Sequence, residues 1–195
     1  MLKTLTDKDI QKYAHQIVLK NIGLNGQKKI LTSKVFILGM GGLGSPVSLY
    51  LTAAGIGTLG IADYDKIELS NLQRQIIYNQ KNINKPKVEI AKKKLLSINP
   101  KLKINIYKKK ITKVNIDKII KEYDVIVDGS DNFKTKYLIN ESCIKNKKTL
   151  ITAALRGFEA QITVIKGWLK SNNNPCYNCI FPKNNKEINN ENYLD

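Results

Sequence analysis

Four closely spaced glycines form the first place where this sequence could do chemistry. They make the pattern GxGGxG within VFILGMGGLGSP, after an apolar stretch and before a Ser-Pro pair: Gly39, Gly41, Gly42 and Gly44. Glycine permits positive φ angles and close backbone approach, and the N-terminus of a following helix offers free N–H groups to a phosphate. The pattern predicts a phosphate-binding turn, with a tight strand-to-helix turn without ligand as the alternative.

An acidic residue lies where the ribose of a nucleotide would be expected. Asp63 follows the glycine turn by about 20 residues, a separation typical of a carboxylate that binds ribose hydroxyls. Asp65 lies two residues further on, on the same face. We interpret Asp63 as a ribose-binding residue; an aspartate in an ordinary acidic loop is the other interpretation.

The chain carries a formal charge of +17, from 33 Lys and Arg residues against 16 Asp and Glu. Only Arg74 and Arg156 are arginines, and lysine, asparagine and isoleucine, which share A/T-rich codons, are abundant. We therefore interpret most of the charge as solvated surface lysine that would attract an acidic protein partner, and not as a nucleic-acid site, which would interleave basic and aromatic residues. Where lysine is the default cation, an arginine inside NLQRQ indicates a need for a planar, multiply donating guanidinium.

The alternation of apolar strands with amphipathic helices predicts an α/β fold. The predicted strands cover residues 34–38, 58–63, 103–107, 124–128, 150–154 and 161–166. The predicted helices cover residues 7–22, 46–54, 86–99, 115–122 and 132–145. Together they predict a Rossmann-like, doubly wound and mainly parallel sheet with helices on both faces.

Cap residues define the ends of the first two helices. Thr6 is predicted to cap the opening helix, with Gly23 just past its end and one apolar face that comprises Ile10, Tyr13, Ala14, Ile17 and Val18. Ser45 is predicted to cap the next helix before Pro46, and Gly55 to end it. Asn132 is interpreted mainly as a helix cap.

The three cysteines do not suggest a disulfide framework. Cys176 and Cys179 have the CxxC spacing of half a zinc site, whereas a tetrahedral structural site needs four ligands; a redox pair is the alternative. Cys143 is predicted to be a buried small hydrophobe. No membrane-length apolar run, signal peptide or transit peptide is evident. We expect a cytoplasmic protein, or a stromal one if a plastid genome encodes it.

Five motifs occur in a fixed order: GMGGLGSP, DYDKIELSNLQRQ, KPKVEIAK, DGSDN and PCYNC. In this order they resemble the ThiF/MoeB-type (HesA/MoeB/ThiF) adenylyltransferases, the bacterial relatives of the ubiquitin-activating enzymes, over about residues 5–182. The resemblance implies an adenylation domain over residues 1–182, with a polar, disordered tail over 183–195.

The resemblance also implies an activity. Such a transferase would use ATP and magnesium to adenylate the C-terminal Gly-Gly carboxylate of a small ubiquitin-like sulfur-carrier protein, in molybdopterin or thiamine biosynthesis, and would release pyrophosphate. The resemblance implies a homodimer. The charge pattern and the lack of a membrane-length apolar run predict no nucleic-acid or membrane partner.

Residue by residue, the resemblance assigns nucleotide contacts to the glycine turn, Asp63, Asn71, Arg74, Gln75, Lys87 and Asp131. Arg74 and Lys87 would neutralise phosphates, and Asp131 would be the magnesium ligand. This set suits the chemistry, because a carboxylate that attacks an α-phosphate brings two anions together. Catalysis then depends on positioning and cationic stabilisation by Arg74, Lys87 and Asp131 with its metal. Arg156 would lie near the tail of the carrier, or would pair with Glu159.

The sequence departs from the family pattern at two places. His15 stands where relatives carry an arginine that reaches the partner subunit's ATP, so that His15 is either a phosphate donor or a structural residue. The second CxxC of relatives is missing, so only two of four zinc ligands are present and we expect a C-terminally truncated domain. The alternative function is therefore a catalytically impaired nucleotide- or partner-binding subunit. A nicotinamide oxidoreductase is disfavoured, because it leaves NLQRQ and DGSDN unexplained.

We expect Arg74→Lys to lower the rate of carrier-dependent ATP–pyrophosphate exchange by about a hundredfold to a thousandfold. Loss of one preorganised contact to a developing charge has this effect, and lysine cannot reproduce the geometry of the guanidinium. Substitution of most lysines should leave the rate unchanged and serves as the control. An Arg74→Lys protein with full activity would contradict the assignment.

Overall fold

The computed structural model describes residues 4–169 and 174–183. Within them a six-stranded sheet has the order β3-β2-β1-β4-β5-β6. All neighbouring strands are parallel except β5 and β6, which form an antiparallel hairpin. The strands are β1 (Lys34–Leu38), β2 (Thr58–Ala62), β3 (Lys103–Tyr107), β4 (Val125–Asp128), β5 (Thr149–Arg156) and β6 (Glu159–Ile165). The predicted Rossmann-like α/β sheet is confirmed.

Eight helices accompany the sheet in the described part of the chain. They are α1 (Asp7–Lys12), α2 (Ala14–Ile17), α3 (Gly23–Thr32), α4 (Gly44–Ala54), α5 (Lys87–Ile98), α6 (Ile116–Ile120), α7 (Phe133–Lys145) and α8 (Tyr177–Ile180). None of these helices combines the length and the apolar character that crossing a membrane requires. Gly55 ends α4 with φ +91°, and the Asn132 side chain accepts a hydrogen bond from the Thr135 N–H at the start of α7, as predicted.

The central strands are buried on both faces, which is why they read as continuous apolar runs in the sequence. Phe36 belongs to one hydrophobic cluster, with Ile120 of α6 and Ile139 of α7. Ile37 points to the opposite cluster, with residues of α5 such as Leu95. Leu38, the last residue of β1, is in register with Ala62 and Asp128, so the carboxyl ends of β1, β2 and β4 lie at one edge of the sheet.

The N-terminal prediction is wrong beyond the cap. Thr6 does cap α1, but two short helices, α1 and α2, replace the single helix predicted over residues 7–22, and Gly23 begins α3 instead of following a helix end. The chain leaves the helix at Tyr13, whose buried ring fills the space beside Gly55. Of the predicted apolar face only Tyr13 is buried, whereas Ile10 and Val18 are exposed.

The predicted cap at Ser45 is also wrong. Helix α4 begins at Gly44, two residues before the predicted start at Pro46, and the Ser45 hydroxyl instead donates to the Met40 carbonyl inside the glycine turn. The predicted tail over 183–195 lies outside the described residues except for Lys183, whose ammonium group contacts Glu141 of α7 at 2.8 Å.

A buried aspartate ties the N-terminal helices to the sheet. Lys101, between α5 and β3, donates to Asp9 at 2.9 Å, and Thr6 also hydrogen-bonds to this carboxylate. The hydrogen bond from Lys101 has the largest effect on the pKa of Asp9 and that from Thr6 the next largest; together they lower it from 3.8 to about 2. The pKa of Asp9 is lower in the folded state than in the unfolded state. The ionised carboxylate therefore stabilises the fold at pH values above the unfolded-state pKa, and this stabilisation is lost as the pH falls towards the folded-state pKa.

We expect Asp9→Asn to reduce the free energy of unfolding at pH 7 by about 1 kcal/mol, since the exposed Lys101 is partly screened. Below about pH 4 the difference from the wild type should shrink, because the Asp9 carboxylate of the wild type becomes protonated and loses its ion pair. Thermal melting from pH 7 to pH 3 measures this, and Lys101→Met should reproduce the effect. A difference that does not change with pH would show that the ion pair is not its source.

Candidate nucleotide-binding site

The glycine turn follows β1, at the topological switch point where the order of the strands in the sheet reverses. Strand β1 has β2 on one side and β4 on the other, and in open α/β sheets ligands bind in the crevice beyond such a switch point. A Cβ atom on Gly44 would stand 1.9 Å from the Gly39 carbonyl oxygen, and one on Gly39 would stand 2.9 Å from the Gly129 carbonyl oxygen. Backbone therefore packs directly on backbone at the ends of β1 and β4.

The middle of the turn faces the NLQRQ segment instead of other backbone. A Cβ atom on Gly42 would lie 3.4 Å from Cδ of Arg74, and one on Gly41 would lie 3.6 Å from Nε2 of Gln75. Gln75 is almost fully buried, and its Oε1 has no hydrogen-bond partner among the described atoms. An unpaired buried acceptor beside a bare glycine backbone fits a site that a polar ligand completes.

Asp63 is buried at the end of β2 and holds the glycine turn from below. Its Oδ2 accepts the Met40 N–H at 2.8 Å, and its Oδ1 accepts the Asp65 N–H at 2.8 Å. Each carboxylate oxygen retains a further lone pair for a ligand hydroxyl. The predicted ribose residue thus lies next to the predicted phosphate turn, and it is also a structural part of that turn.

Tyr78 also holds the turn, and the sequence analysis did not identify it. Its hydroxyl donates to the Met40 carbonyl at 2.9 Å. The pKa of Tyr78 is raised mainly by burial and to a smaller extent by the negative charge of Asp63. The hydroxyl therefore stays protonated and remains a donor. A tyrosine three residues after Gln75 carries no distinctive sequence signal, so only the fold could reveal this contact.

A short 3₁₀ turn, Leu69–Asn71, positions the arginine. The Asn71 Oδ1 accepts the Glu68 N–H, so this amide, predicted to contact phosphate, also organises the loop. The Arg74 guanidinium donates through Nη1 to the Ser70 carbonyl at 3.2 Å and is otherwise exposed towards the glycine turn. The loop therefore delivers Arg74 and Gln75 to neighbouring positions over the turn.

Lys87 lies at the start of α5, where it joins this helix to the segment that contains Asp65. Its N–H donates to the Asp65 carbonyl, and its ammonium group donates to Asp65 Oδ2 at 3.1 Å. The Lys87 side chain is 8% exposed and that of Asp65 is 49% exposed. The predicted phosphate-binding lysine is therefore held by the second aspartate of the DYD segment.

Asp131 lies in the turn that follows β4. It is exposed, and its Oδ1 accepts a hydrogen bond from the Asn132 side chain at 3.4 Å. Gly129 of the same turn packs against Gly39, so this turn and the glycine turn border one crevice. Before the turn, Asp128 forms a buried ion pair with Lys136 at 3.0 Å. No sequence motif predicted this pair.

The cysteines behave differently from one another. Burial raises the pKa of the Cys143 thiol to about 12, so Cys143 is the buried hydrophobe that was predicted. Cys176 Sγ and Cys179 Sγ lie 3.2 Å apart at α8. Burial tends to raise the pKa of Cys176, but hydrogen bonds from Cys179 and from the backbone lower it overall.

Metal binding stays a prediction. In the described ranges no group of three His, Cys, Asp or Glu residues is arranged to hold a metal ion. His15 is exposed on α2, and Arg156 lies opposite Glu159 across the β5–β6 hairpin.

A mostly parallel sheet with a glycine turn at its switch point defines a Rossmann-like nucleotide-binding fold. Comparison with known families makes the class specific: the model of the ThiF family matches residues 13–193. The chain belongs to the ThiF family.

Similar proteins include a sulfur carrier protein adenylyltransferase of Thermus thermophilus, 37% identical over 91% of this chain and 66% of the relative. A "probable molybdopterin-synthase adenylyltransferase" of Gracilaria tenuistipitata var. liui is 40% identical over 92% of this chain and 50% of the relative. The crystal structure of E. coli MccB with AMPCPP and MccA superposes with a TM-score of 0.74 at 27% identity, over 90% of this chain and 53% of that one. The chain thus spans between half and two thirds of the length of these proteins.

The glycines should separate into two kinds on substitution. Gly44→Ala should lower the melting temperature strongly or prevent folding, because its Cβ would overlap the Gly39 carbonyl oxygen. Gly41→Ala has ordinary contact distances, so it should fold but weaken ATP binding by at least about tenfold by filling the approach to the backbone. Thermal melting and calorimetric titration with ATP measure the two effects. Unchanged ATP affinity in Gly41→Ala would place the phosphates elsewhere.

Proposed function

We propose that this protein is an adenylyltransferase that uses ATP to activate the C-terminal Gly-Gly carboxylate of a small ubiquitin-like sulfur-carrier protein. The observation that carries the proposal is the convergence of Arg74, Gln75 and Asp63 on one glycine turn in a member of the ThiF family. The names of the Thermus and Gracilaria relatives support the reaction, and the ATP analogue in the MccB structure supports the nucleotide.

The chemistry requires no nucleophile from the protein. A carboxylate oxygen of the carrier attacks the α-phosphorus of ATP, the bond from that phosphorus to the bridging oxygen breaks, and pyrophosphate leaves with the electron pair. Two anions must approach each other, so the main task is to place cations and donors beforehand. Glycine-turn N–H groups, Arg74 and Lys87 are assigned to the phosphates, and Asp63 to the ribose.

Lys87 can take this role and keep its protein partner. Its ammonium group pairs with Asp65, whose side chain is half exposed. An ammonium group has three donors, so Lys87 could bind a phosphate oxygen while Asp65 still orients it. Asp65 is thus proposed to keep the nearly buried lysine at the edge of the crevice.

Magnesium fits the donor chemistry at Asp131, an exposed carboxylate in the turn that borders the glycines. When bound, the ion would neutralise charge on the phosphates. Zinc fits the Cys176 and Cys179 pair only as half of a tetrahedral site. We propose that residues 1–182 form the adenylation domain, that two copies form a dimer, and that the carrier belongs to the molybdopterin or the thiamine branch.

We expect the chain to catalyse exchange of labelled pyrophosphate into ATP only when a carrier with an intact Gly-Gly terminus is present. Carriers of the molybdopterin and thiamine branches should be compared, because their relative rates identify the substrate. The matched control is the same carrier without its last two glycines, which should give no exchange.

The outcomes separate the candidate functions. Exchange that depends on the Gly-Gly terminus supports the proposal. ATP binding without exchange for either carrier would instead favour the impaired nucleotide- or partner-binding subunit. No ATP binding would refute the adenylyltransferase and the nucleotide-binding subunit, and would favour a subunit that only binds a partner.

A further inference from the structure

A buried ion pair lies directly beneath the turn that carries Asp131. Asp128, the last residue of β4, contacts Lys136 of α7 at 3.0 Å, and the two side chains are 0% and 5% exposed. The proposed reaction assigns no role to either residue. Two charges removed from water are costly to bury unless further hydrogen bonds satisfy them, so their full set of partners indicates what they do.

The ammonium group of Lys136 is fully occupied by protein acceptors. It donates to Asp128 Oδ2, to the Thr152 hydroxyl at 3.4 Å and to the Ala153 carbonyl at 2.8 Å. Because an ammonium group has three donors, none is left for a ligand. Lys136 therefore serves to join α7 to the carboxyl end of β4 and to the middle of β5.

The carboxylate of Asp128 connects this junction to the crevice. Its Oδ2 is bound by Lys136 and by the Thr152 hydroxyl at 2.8 Å. Its Oδ1 accepts the Ser130 N–H at 3.0 Å and the Ser130 hydroxyl at 2.6 Å, an arrangement that fixes a turn. The intervening Gly129 packs against Gly39 of the glycine turn.

We propose that Asp128 and Lys136 are positioning residues that hold the Gly129–Ser130–Asp131 turn against the glycine turn, and so place the Asp131 carboxylate for the metal–nucleotide complex. The proposal rests on the proposed function in assigning Asp131 that role. Lys136 and Thr152 orient Asp128, and Asp128 in turn orients the backbone and hydroxyl of Ser130. Without Lys136, the buried carboxylate loses its compensating charge and the turn loses its support.

Three variants and one matched control test the proposal. Lys136→Met removes the support, and Ser130→Ala removes one hydrogen bond to Asp128 while the ion pair remains. Lys134→Met is the control, because Lys134 is exposed on the same helix two residues earlier. Lys136→Arg should restore function in part, since a guanidinium can serve the same acceptors.

The first readout is hydrogen exchange of residues 129–132 in the folded full chain without nucleotide, which does not depend on activity. Exchange there should be at least about tenfold faster in Lys136→Met than in Lys134→Met, with Ser130→Ala in between. The second readout is the magnesium concentration that gives half-maximal pyrophosphate exchange. It should rise by about tenfold in Lys136→Met and by less in Ser130→Ala, as happens when a support of a metal ligand is lost.

The results are decisive in each direction. If Lys136→Met does not fold, Ser130→Ala alone must still speed hydrogen exchange and raise the magnesium requirement. Unchanged protection of residues 129–132 in the folded variants would overturn the proposal, as would an unchanged magnesium requirement with a lower maximal rate. If the wild-type chain shows no pyrophosphate exchange with any carrier, the proposed function fails, whereas the hydrogen-exchange result still decides whether the pair holds the turn.

Discussion

The candidate site depends on a close contact between backbone segments at the ends of two parallel strands. Gly39 and Gly44 leave no room for side chains, because a Cβ atom on Gly39 would lie 2.9 Å from the Gly129 carbonyl oxygen and one on Gly44 would lie 1.9 Å from the Gly39 carbonyl oxygen. This contact folds the turn after β1 tightly and brings the turn after β4 against it. A bulkier residue at Gly39 or Gly44 would push the two turns apart, and would separate Arg74 and Gln75 from Asp131.

The elements that support this contact could be predicted from the sequence because they obey local rules. The strands over residues 34–38 and 58–62 are buried on both faces, so their residues form continuous apolar runs bounded by polar or glycine residues. The ends of helix α5 were predicted correctly from Pro86 and Asn99, because the conformational preferences of these residues act within one helical turn. The relative position of Gly39 and Asp63 could also be predicted, since parallel neighbours end at the same edge of the sheet.

Contacts that depend on tertiary packing could not be predicted in this way. The N-terminal segment has helical spacing throughout, but Tyr13 packs over Gly55 and interrupts the helix there. Ser45 has the residue type of a cap, yet the tight turn starts the helix two residues before the predicted position, and the Ser45 hydroxyl donates to the Met40 carbonyl. Tyr78 reaches Met40 across 38 positions of sequence, a separation at which no periodic pattern can report a contact.

The structure also distinguishes among lysines that the composition makes look alike. Lys136 and Lys87 are both buried beside aspartates, but Lys136 gives its ammonium group to three protein acceptors, whereas Lys87 has Asp65 alone as its side-chain partner in the described part of the chain. Asp128 is fully enclosed, while Asp65 is half exposed and can share its partner. A cation with donors to spare suits an anionic ligand, and a saturated one suits a structural junction. The number of donors left over, and not burial or charge, therefore distinguishes Lys87 from Lys136 in this fold.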